Sequence, residues 1–364
     1  MSDWLIFQGT GEPARNRIAD LPEAPHWRRF DGTPPPEDED RAPEIDHSSL
    51  RRLGDNPILR IQEERTLQLI NAALYLRRPL LVTGAPGAGK STLAHAVAHE
   101  LGLGRVLQWP VVSRTELKDG LYAYDAIGRL QDTQLDAHRA GRSRSGAARV
   151  RGTGRPRPGS SPAAARGRSD IGRYIRLGPL GTALLPSRKP RVLLIDELDK
   201  SDIDLPGDLL NVMEEGEFAI PELERIAGRD GRDQVVVLSD DGRPVVVSGG
   251  RVRCRAFPFI VMTSNGEREF PPALLRRCIH LNLEPPRGER LAAMVQAHFG
   301  ELADETHSDI FSLFTQDAGG VHRPTDQLLN AIFLTQHAAQ QEDPARRAEI
   351  ARLLINAPDQ DLRR

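Results

Sequence analysis

The segment Gly84-Ala-Pro-Gly-Ala-Gly89-Lys90-Ser91 decides the fold, because it lies between an apolar run of strand length, Pro79-Leu-Leu-Val-Thr83, and a helical pattern over Thr92–Leu101. Glycines let successive backbone N–H groups and a helix N-terminus point at anionic oxygens without Cβ clashes. A lysine in this position can bind the β and γ phosphates of a nucleotide, and a serine hydroxyl can coordinate Mg²⁺. The order strand, glycine loop, helix therefore predicts a phosphate-binding loop with Lys90 and Ser91 in these roles. The alternative is a glycine-rich turn with a chance lysine, but only four of the 49 basic residues are lysine.

A second motif, Val192-Leu-Leu-Ile-Asp196-Glu197, is a buried-strand pattern that ends in two adjacent acids. Side chains alternate along a strand, so the two carboxylates leave its end on opposite sides. We expect Asp196 to bind Mg²⁺ and Glu197 to polarise a water molecule for attack on the γ-phosphate. Without a phosphate loop upstream, such a motif would indicate only a strand that ends at the surface.

A third strand pattern, Phe259-Ile-Val-Met-Thr-Ser-Asn265, also ends in polar residues. In an open α/β sheet Asn265 would lie beside the other strand ends, where ligands bind, although an asparagine here can also simply form a turn. The segment Phe270-Pro-Pro-Ala-Leu-Leu-Arg276-Arg277 follows closely. An arginine from a neighbouring subunit can stabilise the charge that grows on a γ-phosphate, and the alternative is surface ion pairing.

The apolar runs at 79–83, 106–112, 192–195, 257–262 and 278–283 are mostly continuous rather than alternating. This pattern is typical of strands that helices cover on both faces. It predicts an α/β domain with a five-stranded, mainly parallel sheet. Helices are expected at about 61–78 and 92–101, and after the sheet at 287–299, 324–341 and 344–355.

The chain is expected to contain an N-terminal extended, partly disordered arm (1–54), an α/β nucleotide-binding domain (55–286) and a small helical lid domain (287–364). The arm is rich in proline and carries Trp4 and Trp27, so part of it is expected to dock on something. Within the α/β domain, two β-branched runs joined at Asp241-Gly242 predict a hairpin insertion at 234–254.

A second insertion, at 137–169, is expected to be disordered. Residues 138–168 contain nine Arg, six Gly, six Ala, four Ser and three Pro, and no acid. Such a stretch cannot bury a core. It is either a solvated loop, a basic contact to nucleic acid or an acidic partner, or the product of two compensating frameshifts in a GC-rich gene.

Composition excludes several classes of protein. The 49 Lys+Arg nearly balance the 51 Asp+Glu, so the net charge of −2 indicates no general affinity for nucleic acid or anionic membranes. No signal peptide and no apolar window of membrane-spanning length is recognisable, so a cytoplasmic protein is expected. Cys254 and Cys278 cannot form a disulfide framework, and no His/Cys cluster has zinc spacing.

Taken together, the motifs resemble those of an AAA+ ATPase, and more closely the MoxR branch, over about residues 55–345. By this resemblance Asp196 and Glu197 match Walker B, Asn265 matches sensor 1, and Arg277, with Arg276 as alternate, matches the arginine finger. His322-Arg323-Pro324 matches the sensor 2 segment, which would make Arg323 the reporter of the γ-phosphate to the lid. The Walker A match comprises Gly84, Ala85, Pro86, Gly87, Ala88, Gly89, Lys90, Ser91 and Thr92.

The resemblance implies a P-loop NTPase fold that binds ATP and Mg²⁺ and hydrolyses ATP between the subunits of a ring, commonly a hexamer. It also implies chaperone-like remodelling or activation of a client protein, often one with a von Willebrand factor A domain.

Three other functions are open at this point. A nucleotide-controlled signalling switch with negligible turnover would have less need of Glu197 and Asn265. A nucleic-acid motor is favoured only by the Arg-rich stretch and the hairpin, and a nucleic-acid partner is not expected because aromatic residues are only 5% of the chain. A small-molecule kinase would use a phosphate loop but fits the Asp-Glu pair less well.

Overall fold

The computed structural model of the chain describes residues 4–34, 63–147, 171–228, 233–285, 288–299, 310, 314, 325–337 and 344–355. Its helices are α1 (Glu64–Leu76), α2 (Lys90–Leu101), α3 (Leu117–Leu121), α4 (Ala126–Ala147), α5 (Pro179–Ala183), α6 (Leu205–Glu215), α7 (Pro221–Glu224), α8 (Pro272–Leu275), α9 (Gly288–Phe299), α10 (Thr325–His337) and α11 (Pro344–Ile355). Its strands are β1 (Leu80–Thr83), β2 (Val106–Pro110), β3 (Tyr122–Tyr124), β4 (Ile175–Leu177), β5 (Val192–Asp196), β6 (Glu217–Ala219), β7 (Gln234–Leu238), β8 (Pro244–Ser248), β9 (Arg251–Arg253), β10 (Phe259–Ser264) and β11 (Ile279–Asn282).

The five predicted apolar runs form one sheet in the order β11-β1-β10-β5-β2. All its neighbouring strands pair in parallel, so the predicted α/β class is confirmed. All six residues of β10 are buried, as expected for a central strand covered on both faces. The register places Thr83 beside both Ser264 and Asn282, so the loops that follow β1, β10 and β5 leave the same edge of the sheet. This edge is where the predicted site residues meet.

The predicted hairpin is present as β7 and β8, with Gly242 in the turn at φ +79°. It belongs to a second sheet of six strands in the order β3-β4-β7-β8-β9-β6. β4, which follows the Arg-rich insertion, pairs in parallel with β7 of the hairpin, so two segments that are distant in the sequence are joined in the structure. No local pattern in the sequence indicated this pairing.

The Arg-rich insertion requires a correction. We expected residues 137–169 to be disordered, but helix α4 continues to Ala147. The stretch from 137 to 147 contains alanine and arginine, which are good helix formers, and it extends a helix that begins at Ala126. Residues 148–170 lie outside the described part.

Residues 4–34 of the predicted arm pack against the α/β domain. Ile6 and Phe7 are buried, and the Oδ1 atom of Asn71 in α1 accepts hydrogen bonds from both of their backbone N–H groups at 2.8 and 2.9 Å. The buried carboxylate of Glu100 in α2 also accepts hydrogen bonds from this segment. The packed part of the arm is therefore bound to its own chain.

The C-terminal helices have a separate hydrophobic cluster, which comprises Leu291, Val295, Ile310, Phe314, Leu328, Ala331, Ile332 and Ala351. One contact joins them to the phosphate loop: the Thr325 hydroxyl at the start of α10 donates to the Gly87 carbonyl oxygen at 2.7 Å. The proposed domain boundaries at 54/55 and 286/287 fall outside the described residues and stay predictions. Among the helices of the described part, none combines the length and the hydropathy needed to span a membrane.

Candidate active site

The loop between β1 and α2 has the backbone conformation that its glycines allow. Gly84 lies at φ +148°, and a Cβ atom there would lie 2.2 Å from the Leu283 carbonyl oxygen. Gly89 lies at φ +86° and is the N-cap of α2, with no side chain capping the helix. The N–H groups of the first helical turn are therefore open to an anion. Ala85, Pro86, Gly87 and Ala88 connect the strand to this turn, and Ser91 and Thr92 belong to it.

Lys90 is the centre of the site. Its side chain is 8% exposed, and Nζ donates to the carbonyl oxygens of Gly84 and Ala85 at 2.7 and 2.9 Å and to Oδ1 of Asn265 at 2.7 Å. Burial lowers the pKa of Lys90, and the nearby carboxylates of Asp199, Asp196 and Glu197 oppose this shift. The structure thus brings the lysine of the loop and the asparagine at the end of β10 into direct contact.

Asp196 ends β5 beside the first turn of α2. Its Oδ1 atom accepts hydrogen bonds from the Ser91 hydroxyl and the Thr263 hydroxyl, both at 2.6 Å. A carboxylate and a hydroxyl this close to a phosphate loop are the oxygen donors that Mg²⁺ prefers. Ser91 and Asp196 therefore fit the predicted metal site, and they are the residues that would hold the ion.

Glu197 has a conformation rare for a residue with a side chain, with φ +60° and ψ +48°. Its backbone N–H donates to the Thr263 hydroxyl at 2.9 Å, and its Oε2 atom accepts from Nζ of Lys200 at 2.7 Å. The carboxylate is 42% exposed, so water has access to it. These contacts place an acid at the strand end and orient it, as a general base for water requires.

Sequence reasoning missed two residues of this site, Thr263 and Asp199. The Thr263 hydroxyl accepts from the backbone N–H of Glu197 and donates to the Asp196 carboxylate, and its position two residues before Asn265 on one strand face could have indicated it. Asp199 is 3% exposed, and its Oδ2 atom accepts from the backbone N–H groups of Asn265 and Glu267 at 2.9 and 3.1 Å. Asp199 therefore fixes the loop that presents Asn265, a contact that no spacing in the sequence predicts.

The predicted arginines do not join this cluster. Arg277 precedes β11, and the Ile279 backbone N–H donates to the Pro79 carbonyl oxygen before β1. Pro79 and Arg277 thus lie at the amino ends of β1 and β11, which are four residues long. This end of the strands is about 13 Å from the edge that carries the phosphate loop. There Arg277 pairs with Glu214 at 2.8 Å, while the neighbouring arginine, Arg276, bonds to the backbone of its own helix. Arg323 lies outside the described residues.

No curated protein matches the chain. A structure titled "Structure of C. elegans PCH-2" is similar with a TM-score of 0.31 and 14% identity, covering 86% of this chain and 71% of that one. The family described as "AAA domain (dynein-related subfamily)" matches residues 79–278, which is more than half of the chain and includes the phosphate loop, the Asp-Glu strand end and Asn265. By this match the chain belongs to the dynein-related subfamily of AAA domains, with the AAA+ P-loop NTPase fold that the motifs predicted.

Proposed function

We propose that the protein is a Mg²⁺-dependent ATPase that works in the cytoplasm as an oligomeric ring, commonly a hexamer, and remodels or activates a client protein, as members of the MoxR branch do. The observation that carries the proposal is the convergence of Lys90, Ser91, Asp196 and Asn265 at one edge of the sheet. AAA domains as a class bind ATP, typically with Mg²⁺. The assignment to MoxR proteins depends on the order of the motifs in the sequence.

The residues of the site have separable roles in hydrolysis. Backbone N–H groups at the start of α2 and the Lys90 ammonium would bind the β and γ phosphates. Mg²⁺, held by Ser91 and Asp196, would neutralise charge on the phosphate oxygens. Glu197 would accept the proton of a water molecule whose oxygen attacks the γ-phosphorus, with ADP as the leaving group. Asn265, whose amide oxygen accepts a hydrogen bond from Lys90, would sense the γ-phosphate.

The position of Arg277 supports assembly into a ring. An arginine at the amino edge of the sheet is separated from its own phosphate loop by the length of β1 and β11, yet it is half-exposed and available to another subunit. An arginine that completes a neighbour's site would need this placement. The contact between Thr325 and Gly87 similarly joins the lid helices to the phosphate loop, through which Arg323, two residues earlier, would report the nucleotide state.

The test is ATP turnover per subunit as a function of protein concentration. We expect turnover to rise steeply with concentration in the wild type, because a site needs two subunits. Lys90→Ala should lose nucleotide binding, whereas Glu197→Gln should bind ATP and hydrolyse it at least about a hundredfold more slowly. Arg277→Ala should bind ATP normally and lose about a thousandfold in kcat. Arg346→Ala is a matched control, since Arg346 is also exposed and paired with a glutamate, but in α11.

Mixing variants tests the shared site directly. Subunits with Lys90→Ala still carry Arg277, and subunits with Arg277→Ala still carry an intact phosphate loop. Co-assembled mixtures should therefore recover turnover, with co-assembly verified by capture of one tagged variant. A mixture that co-assembles and stays inactive at every ratio would overturn the shared site, and absence of ATP binding by the wild type would overturn the function.

The client is to be sought with Glu197→Gln, which is expected to hold ATP and stall on its client. Purified von Willebrand factor A domain proteins encoded in the same genome are the candidate ligands. ATP-dependent capture by Glu197→Gln and not by Lys90→Ala is the expected result. Equal capture by both variants would contradict a nucleotide-driven interaction.

A further inference from the structure

The N-terminal segment packs on the end of the helix that carries the partner of Arg277. Helix α6 ends at Glu215, and Gly216 follows in the left-handed region at φ +62°. A Cβ atom on Gly216 would lie 2.5 Å from Cε1 of Phe30, so the Phe30 ring lies directly against the helix end. Phe30 in turn stacks on Phe257 with a centroid distance of 5.6 Å. The N-terminal segment therefore covers this end of α6.

Arg28 is the anchor of this contact. Its side chain is 6% exposed; Nη1 donates to the Met213 carbonyl oxygen at 3.1 Å, and Nε and Nη2 both donate to the Arg77 carbonyl oxygen at 3.1 and 2.9 Å. Its guanidinium carbon lies 4.3 Å from the centroid of the Phe257 ring. Burial lowers the pKa of Arg28, and Glu214 opposes this shift. A buried guanidinium with these partners has little freedom to move.

Glu214 lies between this anchor and Arg277. Its Oε2 atom is 3.6 Å from Nη1 of Arg28, and its Oε1 atom is 2.8 Å from Nε of Arg277. Arg277 also donates a longer hydrogen bond, 3.3 Å, from Nη1 to the Ala273 carbonyl oxygen. The same carboxylate therefore contacts the buried arginine of the N-terminal segment and the half-exposed arginine at the sheet edge.

We propose that Arg28 and Glu214 are positioning residues that orient Arg277 toward the nucleotide of the neighbouring subunit, so that the N-terminal segment is a part of the ATPase site. This inference rests on the proposed function. An ion pair between two exposed side chains contributes little by itself, since each must lose side-chain freedom to form it. Arg28 reduces this freedom in advance, because its buried guanidinium attracts the far oxygen of Glu214 from 3.6 Å. A correctly oriented Arg277 is then available before the subunits meet.

The first experiment measures kcat and KM for ATP in Glu214→Gln. Glutamine keeps the size of the side chain and removes the charge that holds both arginines. We expect kcat to fall about tenfold or more with little change in KM, because Arg277 would act on the charge that develops during hydrolysis. Glu215→Gln is the matched control, because Glu215 is the adjacent exposed acid of the same helix, and it should keep wild-type kcat.

The second experiment asks whether Glu214 acts through Arg277. The double variant with Glu214→Gln and Arg277→Ala should be no slower than Arg277→Ala, because the positioned group is gone. In mixtures, Lys90→Ala should restore turnover to Glu214→Gln, since it supplies well-oriented arginines. Arg277→Ala should not restore it, since both variants would lack a competent arginine. If Glu214→Gln only damaged the structure of its own subunit, mixing with Lys90→Ala and mixing with Arg277→Ala would have the same effect on turnover.

Arg28→Lys tests the anchor, because lysine keeps the charge but cannot reach the Arg77 and Met213 carbonyl oxygens together. Its kcat should fall in the same direction as that of Glu214→Gln, and its double variant with Arg277→Ala should be no slower than Arg277→Ala. Full kcat in Glu214→Gln together with a loss in Arg277→Ala would overturn the positioning of Arg277 by Arg28 and Glu214, and it would leave the proposed function intact. Full kcat in Arg277→Ala would overturn the shared site, and with it the positioning role of Arg28 and Glu214.

Discussion

Replacing Glu100 by glutamine should release the N-terminal segment from the α/β domain. The Glu100 side chain is fully buried, and its two oxygens accept four hydrogen bonds from residues 8–17 of the segment. Oε1 accepts from the Gln8 backbone N–H at 2.7 Å and from Nη1 of Arg17 at 3.0 Å. Oε2 accepts from the backbone N–H groups of Thr10 and Gly11 at 2.9 and 3.4 Å.

The size of the effect follows from these four contacts. A hydrogen bond to a charged acceptor contributes about 1.5–3 kcal/mol. Glutamine keeps one acceptor oxygen, so the donors of the other oxygen face an NH₂ group and lose their partner. If the amide nitrogen takes the place of Oε2, the hydrogen bonds from Thr10 and Gly11 are lost. Because the bond from Gly11 is long, we take the lower end of the range for both, and the total cost is about 3 kcal/mol. Because 1.4 kcal/mol is a factor of ten, the population of the undocked segment should rise about a hundredfold.

Limited proteolysis with trypsin measures this population, because Arg15 and Arg17 lie within the segment. When reclosing is faster than cleavage, the cleavage rate follows the fraction that is open. The rate of release of the N-terminal fragment, identified by mass, should therefore rise about a hundredfold in Glu100→Gln. Glu12→Gln, which changes an exposed acid of the same segment, is the control and should cleave at the wild-type rate. An unchanged rate in Glu100→Gln would refute the assignment of Glu100 as the residue that docks the segment.

Three further predictions concern the site and the core. Gly84→Ala should reduce ATP affinity at least about tenfold, since its Cβ would lie 2.2 Å from the Leu283 carbonyl oxygen at a φ of +148°. Isothermal titration calorimetry measures the ATP affinity, and a wild-type affinity of the variant would contradict this prediction. Thr263→Val keeps the shape of the side chain but removes the hydroxyl that links the Asp196 carboxylate to the Glu197 backbone N–H, so kcat should fall about tenfold or more while the melting temperature changes little. Unchanged turnover would argue against a role of this link in catalysis. Burial raises the pKa of both Cys254 and Cys278 to about 12, so at pH 8 their thiolates should be scarce and alkylation slow until denaturant exposes them. Rapid alkylation of the native protein at that pH would contradict their burial.

The chemistry of the site could be predicted because it is local in the chain. Lys90 and Ser91 belong to one loop, and the residues Asp196, Glu197 and Asn265 each follow an apolar strand pattern. Parallel strands place their carboxyl ends at one edge, so the sequence also predicted that these residues converge. Thr263 and Asp199 were not predicted, because their roles are hydrogen bonds to other strands and loops. A threonine in a strand or an acid after a strand also has many other structural roles.

One prediction about the edges of the domain was less accurate. The composition of residues 138–168 indicated disorder, yet its first part continues helix α4, because a helix already formed is extended at low cost. The predicted arm gave no sign of where it docks. Its contacts with Asn71, Glu100 and Glu214 join residues 64 or more positions apart, beyond the range of any local pattern.

The sequence alone determined the phosphate loop, the acids and amide that accompany it, and the parallel α/β sheet, because each depends on short segments whose periodicity and residue types have a direct physical meaning. Only the tertiary structure decided that Arg277 lies at the opposite edge of the sheet from Lys90, that β4 and the hairpin share a sheet, and that the N-terminal segment supports the helix beside Arg277. These arrangements depend on packing between distant segments, and such packing is a property of the folded chain as a whole.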